Sequence, residues 1–470
     1  MAQNRGKHWA GLVLALGIAA GGALAQDGGA IVTKQYDDGG IYEGTFRNGL
    51  QHGQGIYRLP NGYEYSGTWE DGEIRGRGTA RFADGSVYTG TFEKGQPEGT
   101  GRIVFADGST YEGKWENGKM TGAGVAAYAN GLRYEGTFKN ALHHGHGVLT
   151  GEDGYVYEGT WSEGVKHGQG RITYADGTVY EGGMRDGRRA GQGTLSTPEG
   201  LVYEGGWVNG QMEGEGRLTQ PGGDVYDGAF KAGKRNGPGV ETYANGDTYE
   251  GTFENDKRHG TGTFRGTDGM IYTGQWVMGR IEGAGTTTYP DGSVYEGAFK
   301  ADQPHGQGRI AYADGSSYEG GWQNGQITGT GIAHYASGQV YEGALLNATP
   351  HGKGEMTYPD GYTYDGDWVR GTRHGTGIAT YPNGSTYTGG FTEGQRQGTG
   401  TLTMTDGFTY EGAWEGGRIS GHGIARYPNG DSYEGKFVDG QRQGEGVMRY
   451  ATGREARGQW DGGTLTPPAN

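Results

Sequence analysis

The chain of 470 residues contains no cysteine. That excludes disulfides and thiol chemistry, so an exported form must take its stability from pairing and packing alone. Proline is scarce, at 13 residues, and apolar residues make up only 32% of the chain. Ordinary globular domains are ~45–50% apolar, and the shortfall excludes a thick, multilayered core. Long apolar runs are missing too. The one apolar stretch, Gly11–Gly22, is shorter than the ~20 residues a membrane-spanning helix needs. A cationic excess is also absent. The formal charge of −15 disfavours nucleic acid and anionic membrane surfaces as general partners, because both reward a basic footprint.

What is abundant is glycine, with 106 residues, alongside 33 Tyr, 12 Phe and 10 Trp. So much glycine would suit a disordered chain, but disordered segments lack such an aromatic load. The start stands apart from the rest. Arg5, Lys7 and His8 precede the apolar run, which closes on the small-x-small triplet Ala23-Leu24-Ala25. This is the pattern of a cleaved export signal, with the cut expected between Ala25 and Gln26. No cysteine follows to carry a lipid, so the mature chain is expected to be soluble in the periplasm or outside the cell. Losing residues 1–25 removes Arg5 and Lys7 and no acid, which takes the charge to −17.

Beyond the signal the chain repeats. Tyr42, Tyr65, Tyr88, Tyr111 and so on to Tyr433 recur every 23 residues without insertion or deletion, which makes 18 units. With the tyrosine as position 1, the unit reads Y-E-G-x-[WF]-x-x-G-x-x-H-G-x-G-x-x-x-Y-x-[DN]-G-x-x, and positions 3, 12, 14 and 21 are glycine in every unit. A Gly-x-Gly such as Gly168–Gly170 resembles a phosphate cradle, but that device is a single loop leading into a helix. Here it recurs in every unit with no helical periodicity after it, so these glycines are architectural. Asp-Gly or Asn-Gly at positions 20–21, as in Asp176-Gly177, predicts a type I′ hairpin turn there. Strands are then expected over about positions 13–19 and after the turn, with a second connection over about positions 7–11.

Strand alternation places positions 1, 3 and 5 on one face and positions 2 and 4 on the other. Tyrosine and Trp or Phe then flank a glycine, leaving a shallow trough between two aromatic rows. The trough is either filled by position 15 of the neighbouring strand or open as a ligand groove, for which Tyr157, Trp161, Tyr180, Tyr203 and Trp207 are the candidate surface. Position 2 is Glu or Asp in 14 of 18 units, among them Glu43, Glu112, Glu181 and Asp365. On this reading the carboxylates recur about every 10 Å, too far apart for a catalytic pair or a shared calcium ion. Position 11 is histidine in seven units and varied elsewhere, which suits a turn better than a ligand. The local cluster His143, His144, His146 lacks a carboxylate or thiolate to complete a defined metal site. No catalytic residue, cofactor or metal is therefore assigned, and a non-enzymatic role is expected.

The repeat resembles the MORN (membrane occupation and recognition nexus) family over about residues 36–460. The resemblance implies an all-β fold: an elongated, single-layer antiparallel sheet of stacked hairpins. It also implies a role as a linker, an interaction surface or a proposed phospholipid-binding module. The domain plan is a signal at 1–25, an N-terminal edge and half repeat at 26–41, repeats at 42–455, and a degenerate repeat with a cap and tail at 456–470. Function is expected to be that of an exported scaffold for other proteins. Binding of an extended envelope glycan through the aromatic rows, or of a phospholipid surface, is the alternative. The charged segment Arg454, Glu455, Arg457 reads as a C-terminal edge cap, so a monomer, or a dimer joined through the N-terminal edge, is expected.

Overall fold

The computed structural model describes residues 29–466, so the export segment and its cleavage point at Ala25–Gln26 lie outside the described residues. Chain contacts fall into two units, Met1–Lys234 and Arg235–Asn470. Both are all-β, and the described residues contain no helix. In the N-terminal unit each strand from Val32–Gln35 to Val225–Lys231 pairs antiparallel with its sequence neighbours. The C-terminal unit repeats the pattern up to Thr464–Leu465.

Each repeat supplies a seven-residue strand, such as Val156–Ser162, and a nine-residue strand, such as Val165–Thr173. The tight turn between them is the two-residue pair at positions 7–8. Glu163 and Gly164 both have positive φ, at 49° and 82°, which is the backbone of a type I′ turn. Most units place Gly at position 8, where the left-handed backbone costs it little, but Ala141, Asp256, Asp302 and Ala348 adopt the same conformation. The sequence-based placement of the type I′ turn at 20–21 is therefore corrected. In that connection only the glycine has positive φ (Gly177, 85°). Gly177 N–H donates to the Tyr174 carbonyl at 2.9 Å, and Tyr174 N–H donates to the Thr178 carbonyl at 2.8 Å. Asp176 stays out of the left-handed region and uses its side chain instead, accepting the Thr178 N–H at 2.8 Å. This is a type I turn closed by a glycine bulge, the other hairpin geometry that Asp-Gly serves.

The strand expected over positions 13–19 accordingly runs over positions 9–17, because pairing begins directly after the tight turn. A bulge interrupts every such hairpin. Gly159 faces Gly170 and Trp161 faces Lys166, so Thr160 alone opposes the three residues His167, Gly168 and Gln169. Gly168 takes φ 70° there, which accounts for the glycine at position 12. At the C-terminal end, Glu455–Asp461 forms a strand whose Glu455 is bridged by Arg457 at 3.0 Å and Arg449 at 3.2 Å. The short strand Thr464–Leu465 covers only its Trp460–Asp461 end.

Candidate functional site

The two faces of each ladder differ in what closes them. On the aromatic face, the position-1 tyrosine lies flat across the glycines at positions 3 and 14. A Cβ built on Gly170 would stand 2.6 Å from the Tyr157 ring, and one on Gly159 would stand 2.7 Å from its hydroxyl. Nothing larger than hydrogen fits under the ring. The tyrosine hydroxyl donates to the carbonyl three residues on: Tyr157 to Thr160 at 2.8 Å, Tyr180 to Gly183 at 2.8 Å and Tyr203 to Gly206 at 3.0 Å. These bonds satisfy carbonyls beside the bulge. Burial pushes each of these phenols up to about 12, because the charged form loses its water.

The trough expected between the aromatic rows is thus filled by the tyrosine itself and not by position 15. Position 16 shares this face: Ile172 stands between Tyr157 and Tyr180 and is buried. The position-5 rings complete the layer edge-on, with Tyr157–Trp161 at 5.1 Å, Tyr203–Trp207 at 5.2 Å and, across repeats, Tyr180–Trp207 at 5.4 Å. Trp161 and Trp207 donate their indole N–H to the carbonyls of Gly147 and Gly193. All five candidate groove residues are between 0% and 4% exposed. The structure brings them together as the interior of the N-terminal unit, with no ring face turned to solvent.

Sequence reasoning missed position 10, which roofs this layer. Arg189 lies 4.1 Å over Trp207 of the next repeat and donates to the Gly210 carbonyl at 3.0 Å. Arg396 does the same with Trp414 and Gly417, and Arg442 with Trp460 and Gly463. Lys166 bonds the Tyr155 hydroxyl and sits over the Tyr157 ring, and burial lowers its ammonium to about 8. Its signal was the recurrence of long side chains at one position, obscured because Pro304 and Ile281 fill it elsewhere. His143 also holds this position. It stacks on Tyr134 at 3.6 Å, bonds the Tyr128 hydroxyl at 2.7 Å, and is pushed down to about 4 by burial. His146 is exposed. Among the described residues no group of three His, Cys, Asp or Glu side chains is placed to hold a metal ion.

The opposite face carries positions 2, 4, 13 and 15, and it holds the concave surface. Its floor is the backbone of the glycines at positions 3 and 14. A groove of about 1380 Å³ runs over Ser66, Arg77, Thr89, Arg102, Glu112 and Glu135. A second, of about 880 Å³, includes Arg171, Glu181 and Glu204. The C-terminal unit has one of about 540 Å³ between Thr388 and Glu434. The position-2 carboxylates are exposed along this face, and two of them pair with position-15 arginines, Arg171–Glu181 at 3.1 Å and Arg217–Asp227 at 3.4 Å. Such exposed pairs contribute ~0–1 kcal/mol each.

No curated protein matches the chain. Among solved structures, the TCP domain of SAS-4 (dCPAP) of Drosophila melanogaster, in complex with a proline-rich motif of Ana2, is 15% identical, with 42% of this chain and 88% of that one covered and a TM-score of 0.21. The TCP10 domain of Danio rerio CPAP, in complex with a STIL peptide, is 14% identical, with 57% and 93% covered and a TM-score of 0.16. A streptogramin B lyase is 14% identical, with 62% and 90% covered and a TM-score of 0.11. At such scores the backbones do not superpose, and no residue role is taken from these proteins. The MORN repeat family matches eighteen segments, from residues 42–62, 65–87 and 88–110 through 226–248 and 249–271 to 410–432 and 433–453. The tyrosine laid over paired glycines and the two-turn hairpin are what those segments build, and the chain belongs to the MORN repeat family.

Proposed function

We propose that this protein is a non-enzymatic, exported scaffold whose polar face binds other proteins. The carrying observation is the division of labour between the faces. Glycines at positions 3 and 14 form a groove floor that recurs from repeat to repeat, walled by exposed polar and charged side chains. A groove without side chains on its floor admits an extended chain close to the backbone. The buried aromatic rows offer no stacking platform for a sugar ring. The exposed position-2 carboxylates repel an anionic lipid surface.

Export rests on the segment ending Ala23-Leu24-Ala25, and N-terminal sequencing of the secreted or periplasmic protein is expected to begin at Gln26. Recovery of Met1–Ala25 on the mature chain would refute that part. For the binding role, a photo-crosslinking residue at Glu181 is expected to yield protein adducts in the native envelope. Retention on envelope glycan or on anionic vesicles, with no protein adduct, would overturn the reading.

A further inference from the structure

The polar face is acidic in most repeats, with isolated interruptions at Thr273 and Thr388 and one that spans two repeats. Two consecutive repeats carry a hydroxyl at position 2 in place of a carboxylate, Ser66 and Thr89. Around them stand three exposed arginines, Arg77, Arg81 and Arg102. Arg77, Thr79 and Arg81 alternate along one strand, so all three point to the polar face. Ser66 and Thr89 face Thr79 from either side, and Arg102 faces Thr89 from the next strand. The Thr79 and Thr89 hydroxyls lie 3.2 Å apart. One donates to the other, which leaves the pair a hydroxyl proton to offer. Gly78, Gly90 and Gly101 form the floor, and Arg77 and Arg102 line the groove above it.

None of the three guanidinium groups has an ion-pair partner among the described residues, whereas the acids closest in register are engaged or set aside. Glu64 faces Arg81 but is bridged to Arg58 at 2.7 Å, and Glu93 is bridged to Arg75 at 2.8 Å. Glu112 faces Arg102 across the next strand pair without reaching it. Strands ~4.8 Å apart and alternate residues ~6.8 Å apart put the three arginines within one side-chain length of the Thr79–Thr89 pair. The result is a cationic, hydroxyl-floored seat in a groove whose continuation, at Glu112 and Glu135, is acidic.

We propose that Arg77, Arg81 and Arg102, with Thr79 and Thr89, bind the carboxylates of an acidic, extended polypeptide segment of a partner protein. That the ligand is a polypeptide rests on the function proposed above; that it is anionic rests on the seat alone. Guanidinium forks match carboxylate oxygens in pairs. Side chains four residues apart on an extended peptide, on the same face as the alternate one between them, fall at the spacing of Arg77 and Arg81, ~13.6 Å. A planar anionic membrane would have to lie along the flanking carboxylates, which oppose it, while a narrow acidic segment meets only the seat.

The test uses the purified full chain and a labelled peptide of about eight residues alternating Glu and Gly, long enough to cross the seat. Binding measured by fluorescence anisotropy is expected to weaken as salt rises. The R77Q/R81Q/R102Q variant is expected to bind on the order of tenfold more weakly, with unchanged thermal unfolding because all three side chains are exposed. R265Q/R309Q/R426Q removes the same charge from exposed arginines of the C-terminal unit and is expected to bind like the parent. Glu112→Gln is expected to tighten binding by about twofold. Equal binding by parent and R77Q/R81Q/R102Q, equal loss in the distal variant, or arginine-dependent binding to phosphatidylglycerol vesicles or a sulfated glycan in preference to the peptide would each overturn the proposal. Since the peptide is synthetic, failure to find a native protein partner would leave this result standing, so the two proposals fail separately.

Discussion

Along the strand Val179–Arg185, Tyr180 and Met184 are buried while Glu181 between them is exposed. The same seven residues thus face two different solvents. On one side the tyrosine meets glycine backbone, its own carbonyl partner and the neighbouring ring, and every contact is internal to the ladder. On the other side the carboxylate meets water and an arginine. A sheet one layer thick has no second sheet to bury its apolar face. This one closes that face with its own rings, laid flat over glycines and roofed by position 10. The face that remains open is the one available for partners.

The largest way to break this asymmetry is alkali. Tyr157, Tyr180, Tyr203 and Tyr249 are held near 12 by burial, against about 10 in an unfolded chain. A raised folded pKa means that the unfolded state loses its proton first. Stability is therefore fully present below about pH 10 and falls as pH rises toward 12. Because every repeat carries a buried tyrosine at position 1, far-ultraviolet dichroism is expected to show loss of strand across that window. A sheet unchanged at pH 12 would mean that the phenols are not buried.

Next comes a single glycine. Gly170→Val places methyl groups where the Tyr157 ring lies, and overpacking of this kind costs ~1–3 kcal/mol or more. Repeat arrays confine such damage to the affected unit and its neighbours. Hydrogen exchange of amides in Val156–Thr173 is expected to accelerate while distant repeats keep their protection. Removing the roof is milder. Arg189→Ala deletes a cation–π contact with Trp207 and a bond to Gly210 and is expected to cost ~1 kcal/mol. Arg189→Lys should recover only part of that loss, since an ammonium cannot stack as a planar fork. On the open face, Glu181→Gln is expected to change stability by under ~0.5 kcal/mol.

The period, the antiparallel hairpins and the alternation of faces were legible because one residue, Tyr at position 1, keeps its spacing through all eighteen repeats. The turn assignment was not. Asp176-Gly177 is compatible with two hairpin geometries, and the choice is made by where strand pairing starts, beside the Glu163-Gly164 turn. Glutamate at a left-handed position carries no sequence signal for a tight turn. The location of the concave surface was hidden for a related reason. Paired glycines look like a gap on the aromatic side until the tyrosine is seen lying in it, which leaves their backbone as a groove floor on the other side. The seat around Arg77, Arg81 and Arg102 needed the cross-strand register, since its residues come from separate strands.

The central claim is that the aromatic rows are interior and the polar face is the working surface. Hydroxyl-radical footprinting of the purified chain, read by mass spectrometry, tests it most directly. Tyr157, Tyr180, Tyr203, Trp161 and Trp207 are expected to stay unlabelled while Tyr312 and Tyr450, 38% and 37% exposed, are oxidised. Labelling of the position-1 tyrosines at the rate of Tyr312 would contradict the account, because the aromatic rows would then be an open face.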